Sequence, residues 1–401
     1  MHVKTGLEQL MDAPPEWLRG KRLGLLCNPA SVNRHLIHAC QLIGQRFPGK
    51  LNALFSPQHG FFAEKQDNMI ESDHMRDPHS NLVVYSLYGK TRIPTPEMLD
   101  DIDILVVDIQ DVGTRVYTFI YTLSYCMETA ARTGKQILVL DRPNPIGGIL
   151  IEGNCLQPDC SSFVGRFPIP MRHGLTIGEL ARLFNQVFEI NCHLDVIRMK
   201  GWKRDMRFDD TGLPWVAPSP NMPTPTTAMV YPGQVIWEGT TISEGRGTTQ
   251  PFEIFGAPFM DPDKILEAFG PEHQNGIVLR ELAFEPVSNK WQAQLCRGFQ
   301  IHVTNPNRYR PYETSLRLLQ AMLRVYPEFV RWKSPPYEYE HHRLPIDLII
   351  GDQDIRKRIE QLDDMNDIIN SWMPGLAEFD GLRQDFLLYP MITSHIAIGE
   401  A

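Results

Sequence analysis

The 401-residue chain has no apolar run approaching the ~18 residues that a membrane-spanning helix needs. Its opening segment, MHVKTGLEQLMDAPPEW, carries no apolar signal core. The chain therefore reads as cytoplasmic, or as periplasmic or secreted if a signal has been removed. Basic runs are missing as well: 39 Lys and Arg stand against 48 Asp and Glu, a net charge of −9. A duplex nucleic-acid binder depends on a positive footprint, so neither nucleic acid nor membrane is an expected partner. None of the seven cysteines pairs with another as C-x-x-C, which argues against a zinc ribbon or a thioredoxin-like site. They read as free, mostly buried thiols in a reducing compartment.

Several catalytic signatures are absent too. Gly89-Lys90-Thr91 resembles the end of a phosphate loop, but Val84 stands where that loop requires glycine. No G-x-G-x-x-G follows the first apolar run, and neither H-E-x-x-H nor G-x-S-x-G occurs. His35 and His38 have helical spacing but no third ligand nearby, so no metal is expected there. Charged residues at 22% and hydrophobic ones at 42% match ordinary globular usage, which excludes a largely disordered chain. The length is more than twice the usual ~100–150 residues of a domain, so two domains are expected.

What is there begins with five short apolar runs: 22–28, 51–55, 81–87, 103–108 and 135–141. Helix-length segments separate them, among them 115–133, a pattern that predicts a parallel sheet covered by helices. Polar residues follow the runs directly: Asn28, Ser56 to His59, Asp108 to Asp111 and Asp141 to Asn144. Ligands of open α/β sheets bind beyond the carboxyl ends of the strands, so these turns are expected to share one site. Thr176 and Glu179 fit a capping box before Leu180, Leu183, Phe184 and Val187. The texture then changes, giving a first domain over 1–190 and a second, α+β domain over 191–401. Five prolines between Pro214 and Pro225 preclude regular helix there and leave Ser219 and Asn221 as pocket candidates. Strand-like 298–305 and helix-like 313–325 and 353–371 follow.

Dense polar motifs run through the chain: SPQHGFFAEKQDN (56–68), YSLYGKTRIPTPEML (85–99), VDIQDVGTRVYTFIYT (107–122), LDRPNPIGG (140–148), EGN (152–154) and SFVGRFPIPMRHGLTIGELARLFN (162–185). The second half adds PSPNMPT (218–224), YPG (231–233), EGTTISEGRGTTQPFEIFGAP (238–258) and FLLY (386–389). Across residues 6 to 389 the chain resembles the NamZ-type exo-β-N-acetylmuramidase family of glycoside hydrolases. The resemblance implies a Rossmann-like domain, a smaller C-terminal domain and a cleft between them. It also implies a reaction without a cofactor: release of N-acetylmuramic acid from the non-reducing end of peptidoglycan-derived muramyl saccharides. Such a reaction uses carboxyl groups to protonate the leaving oxygen and to stabilise an oxocarbenium-like centre. The lactyl carboxylate of muramic acid suits an arginine fork.

One departure stands out. The family pattern PEHG has its favoured catalytic glutamate where this chain has Gln58. An amide has no titratable proton to deliver. Either another carboxyl group serves, with Glu64 the first candidate and Glu71 a weaker one, or the chain binds muramyl glycans without cleaving them. An amidase or esterase reading lacks a recognisable nucleophile or metal. The remaining candidates are His59, Asp111 and Glu244 for chemistry, and Asp108, Arg115, Arg142, Asn144, Asn221 and Arg246 for binding. Each has a structural alternative: Asp108 or Asp111 bonding the turn backbone, Arg115 pairing with one of those aspartates, Asp141 orienting Arg142 by an ion pair. Tyr117, Phe119 and Tyr121 are expected on one helix, mostly in the core.

Overall fold

All five apolar runs form strands of one sheet in the computed structural model, which describes residues 2–67 and 69–391. They are β1 (Leu23–Cys27), β2 (Leu51–Ser56), β4 (Val83–Ser86), β5 (Ile104–Asp108) and β6 (Gln136–Leu140). Two strands complete the sheet: β3 (Met75–Arg76), antiparallel at one edge, and β9 (His193–Ile197), parallel to β6 at the other. The order is β3-β4-β2-β1-β5-β6-β9. The first sheet thus runs past residue 190, where the change of texture suggested a boundary. β9 is half-exposed along its length, and HLDVI lacks the continuous apolar character of the other strands. Between β6 and β9 lie the two-stranded ladder of β7 (Glu152–Cys155) and β8 (Pro170–Arg172).

The helices of this half are α1 (Gly6–Asp12), α2 (Ala39–Arg46), α3 (Phe119–Thr133) and α4 (Ile177–Val187). The capping box forms as expected: the Thr176 N–H donates to Glu179 at 2.9 Å and the Glu179 N–H to the Thr176 hydroxyl at 3.3 Å. Each supplies a partner to a backbone donor that the first helical turn leaves open. The apolar segment 115–133 divides at Thr118, so that Arg115 and Tyr117 belong to the turn before α3 rather than to the helix.

The second half carries an antiparallel sheet of β10 (Ile254–Ala257), β12 (Cys296–Val303) and β11 (Ile277–Phe284), in that order. The helices of this half are α5 (Pro225–Gln234), α6 (Pro262–Phe269), α7 (Pro311–Val325), α8 (Pro345–Ile350), α9 (Gln353–Glu360) and α10 (Met365–Arg383). The segment expected as one helix over 353–371 is two, broken where Leu362 turns to φ 59°. One hydrophobic core runs through both halves, from Phe55, Val107 and Phe119 to Trp237, Phe255 and Phe299. The FLLY motif docks back on the first sheet: the Leu388 N–H donates to Glu179 at 2.8 Å and the Tyr389 hydroxyl to Asp141 at 2.6 Å. Among the described residues no helix is long and apolar enough to cross a membrane.

Arg115 joins the halves. It is fully buried, and its guanidinium donates to the carbonyls of Asn154 (2.6 Å), Ile169 (3.2 Å), Ile349 (3.1 Å) and Ile350 (2.6 Å). The last two belong to α8, so Arg115, expected to bind substrate or else to pair with Asp108 or Asp111, instead ties distant segments together. Arg115→Met should lower stability by about 3 kcal/mol or more, because several buried acceptors lose a charged donor. Urea unfolding checks this. A variant of unchanged stability but weakened sugar binding would return Arg115 to the site.

Candidate active site

The turn after β2 presents two side chains to a recess between the halves. His59 and Gly60 both adopt left-handed backbone, with φ 76° and 85°. Such a conformation is uncommon for a residue with a Cβ and is often held in place at functional sites. The His59 Nδ1 lies 2.7 Å from the Lys65 carbonyl, which can only accept, so Nδ1 carries the proton. Burial pushes this imidazole down to about 4, so at neutral pH it is uncharged with an unprotonated Nε2. Gln58 is held at both ends of its amide. Its Oε1 accepts from the Thr118 hydroxyl at 2.6 Å, and its Nε2 donates to Glu338 Oε1 at 3.0 Å.

Glu338 comes from the far half, on a tight turn. Tyr337 and Glu340 exchange both backbone hydrogen bonds at 2.9 Å, with Glu338 (φ 46°) and Tyr339 (φ 66°) at the corners. Two positive φ values mark the mirror-image hairpin turn that Asn-Gly normally fills; Glu and Tyr occupy it here at a cost. Side chains hold the turn in place. The Tyr88 hydroxyl donates to Glu338 Oε2 at 2.5 Å, the Arg92 guanidinium lies 3.4 Å from the centre of the Tyr339 ring, and Arg343 grips Glu340. Burial, aided by the nearby charge of Glu238, raises the Glu338 carboxyl above the usual range despite its two hydrogen bonds.

A second carboxyl group lines the same recess and is shifted in the opposite direction. Burial disfavours the charge of Glu238, but Arg246 overcomes it, with Nη2 at 2.6 Å from Oε1 and the Tyr337 hydroxyl at 2.6 Å from Oε2. The net effect lowers its carboxyl below the ordinary value. Arg246 also meets Glu244 at 3.3 Å, and Lys290 meets Glu244 at 2.7 Å. Gly247 permits this loop: at φ 76°, a Cβ there would run into the backbone of Ser288.

Of the residues singled out from the sequence, Gln58, His59, Ser219, Asn221 and Arg246 line this recess. Glu244 lines an adjoining one that shares Glu238, Arg246 and Tyr337 with it. Glu64 is exposed, bonded to the backbone N–H of Phe62 at 3.2 Å, and outside the lining. Glu71 is exposed as well.

The other strand-end residues are taken up by the fold. Asp108 is fully buried in a two-pronged ion pair with Arg142, at 2.6 and 2.8 Å, so Arg142 pairs with Asp108 rather than with Asp141. Asp141 instead accepts from Thr176, Gly178 and Tyr389. Asn144 bonds the Leu175 carbonyl and the Ile146 N–H, and Asp111 bonds the Gly113 N–H beside buried His173. Nor do the strand ends share one pocket. The chain switches direction across the sheet between β1 and β5, where Asn28 donates to the Pro218 carbonyl at 2.9 Å, so the proline-rich segment lies over that crevice. The recess is displaced toward the end of β2. Tyr117, freed from the helix, is part of its wall.

Sequence reasoning missed Glu338 and Glu238. Glu238 opens a motif in which Glu244 and Arg246 drew attention instead. Glu338, in SPPYEYE, had no local signal, because its partner stands 280 positions earlier. His38, by contrast, is committed to the Asn28 carbonyl and the Cys40 N–H. Among the described residues no group of three or more His, Cys, Asp or Glu is placed to hold a metal ion.

Known proteins share this architecture. Two solved DUF1343 family proteins from Bacteroides fragilis NCTC 9343 superpose on it. One has a TM-score of 0.88 at 37% identity, covering 97% of this chain and 99% of its own. The other has a TM-score of 0.75 at 28% identity, covering 98% and 100%. The peptidoglycan beta-N-acetylmuramidase NamZ of Bacillus subtilis (strain 168) is 45% identical over 387 residues, 96% of this chain and 91% of that protein. Residues 23–226 match the N-terminal domain, and residues 229–389 the C-terminal domain, of exo-beta-N-acetylmuramidase NamZ. The two matches meet at the start of α5, and the recess lies between the halves they define: the chain belongs to the NamZ exo-β-N-acetylmuramidase family.

Proposed function

We propose that this protein is an exo-acting glycoside hydrolase that releases N-acetylmuramic acid from the non-reducing end of peptidoglycan-derived saccharides. The observation that carries the reading is the recess itself. Two glutamates and an arginine converge there from the second half upon the β2 turn of the first. Hydrolysis of a glycosidic bond asks for two carboxyl groups in different protonation states and needs no cofactor. Substitution of the PEHG glutamate by Gln58 removes one acid from the site but leaves a carboxyl group in direct contact with the position.

Arg246 is the cation for the lactyl carboxylate. Its Nη2 and Nε are engaged with Glu238 and Glu244, whereas Nη1 keeps only a 3.5 Å contact to the Gln66 carbonyl. That end of the guanidinium can donate to an anionic substituent, and N-acetylglucosamine lacks one. His59, neutral and buried beside Gln58, offers an acceptor to a sugar hydroxyl through Nε2.

Two measurements test the reading. A defined disaccharide with non-reducing N-acetylmuramic acid should release that sugar, and chromogenic N-acetylmuramide should be cleaved in preference to the matching N-acetylglucosaminide. In Arg246→Lys the preference should shrink by about tenfold or more, because a point charge does not replace a fork. Reading the ratio of the two sugars separates a lost lactyl contact from general loosening of the site. Equal turnover of both sugars by the wild type would contradict the assignment of Arg246.

A further inference from the structure

We propose that Glu338 is the general acid of this enzyme, delivering its proton to the glycosidic oxygen from the turn that the second half folds against Gln58. The inference rests on the hydrolase reading above and names the residue that performs its first step. Its basis is geometric. Glu338 lines the recess, only 4% exposed, and its Oε1 is 3.0 Å from the side chain that replaces the family glutamate. The carboxyl group is therefore displaced by about one hydrogen bond from the expected position of the acid. Each of its oxygens accepts one hydrogen bond, from Gln58 or from Tyr88, and a carboxyl oxygen has a second lone-pair direction left over. The strained turn that carries it is braced by Tyr337 on Glu238, Tyr88 on Glu338 and Arg92 against Tyr339. Strain maintained by that many contacts is the pattern of a residue held for use.

The two glutamates of the recess divide the work. Burial and the charge of Glu238 favour the protonated form of Glu338, while Arg246 and Tyr337 favour the ionised form of Glu238, the one suited to face the electron-deficient centre. In the reaction, the Glu338 O–H bond breaks as its proton joins the glycosidic oxygen. The bond from C1 to that oxygen breaks with its electron pair staying on oxygen, so the remaining saccharide leaves as an alcohol. Water then forms the new bond to C1 through its oxygen, and the proton it gives up restores the Glu338 carboxyl group. One water is consumed, and N-acetylmuramic acid leaves with a free anomeric hydroxyl.

The experiment compares wild type, Glu338→Gln and Gln58→Glu on two substrates: the natural disaccharide and a dinitrophenyl N-acetylmuramide, whose leaving group departs without a proton. Glu338→Gln should lose about 10²–10⁴-fold in kcat on the disaccharide and less than about tenfold on the dinitrophenyl glycoside. In Gln58→Glu two carboxyl groups lie within hydrogen-bond distance and must share a proton. An acid works only while protonated, so turnover falls as pH rises through its pKa. In Gln58→Glu that alkaline fall should move to higher pH. Equal loss on both substrates by a folded Glu338→Gln overturns the proposal, as does full disaccharide turnover by that variant. If Glu338→Gln does not fold, the pH profile of Gln58→Glu decides alone, and an unmoved alkaline limb overturns it. Loss of disaccharide turnover in Glu64→Gln but not in Glu338→Gln would transfer the role to Glu64. A wild type that releases no N-acetylmuramic acid overturns the hydrolase reading itself, and the acid assignment with it.

Discussion

A single hydrogen bond, from the Gln58 amide to the Glu338 carboxyl group, defines the site. It closes the recess by joining the end of β2 to a turn 280 positions away. It also determines which chemistry position 58 can accommodate. A glutamate there would stand 3.0 Å from another buried carboxyl group, and the two could not both ionise. The amide removes that conflict. It donates to Glu338 in either protonation state and accepts from Thr118 through its other end. On this account Gln58 positions the acid, and the missing family glutamate is no sign of a site in decay.

The surrounding residues form concentric layers with different duties. Nearest the recess are groups that retain an unsatisfied direction: His59 Nε2, the Nη1 end of Arg246 and the second lone pairs of Glu338. Beyond them lie groups whose bonding is spent on the fold, such as Asp108 with Arg142 and Asp141 with Thr176 and Tyr389. A parallel sheet ends in carbonyls and N–H groups that must be satisfied as the chain turns away. Short polar side chains at those ends serve that need first. Removing one partner of a buried pair such as Asp108–Arg142 would strand a charge, so these residues are as constrained as catalytic ones without touching substrate.

Much of the architecture was legible in the chain, and the failures are instructive. Buried parallel strands read as apolar runs, and the Thr176–Glu179 box marks the start of α4 because local chemistry alone determines it. The half-exposed edge strand β9 carries no such signature, and neither does the break at Leu362, a single residue at positive φ just past the end of α9. The site was legible in part. His59, Asn221 and Arg246 were found because dense polar motifs accompany them, and Glu238 stood unremarked in the same stretch as Arg246. Glu338 was invisible, because the meaning of its turn lies in a contact that only the folded chain creates. Strand-end position, a sound guide to where polar residues gather, did not separate those that serve the fold from those that face the recess.

A structure of the protein crystallised with N-acetylmuramic acid is the sharpest test of the role of Glu338. The anomeric hydroxyl marks where the glycosidic oxygen stands during cleavage. It should lie within about 3 Å of a Glu338 carboxyl oxygen, the reach of a proton donor, with the lactyl carboxylate at Arg246. A sugar seated with that hydroxyl against Glu64, or turned to solvent out of reach of Glu338, would contradict the account.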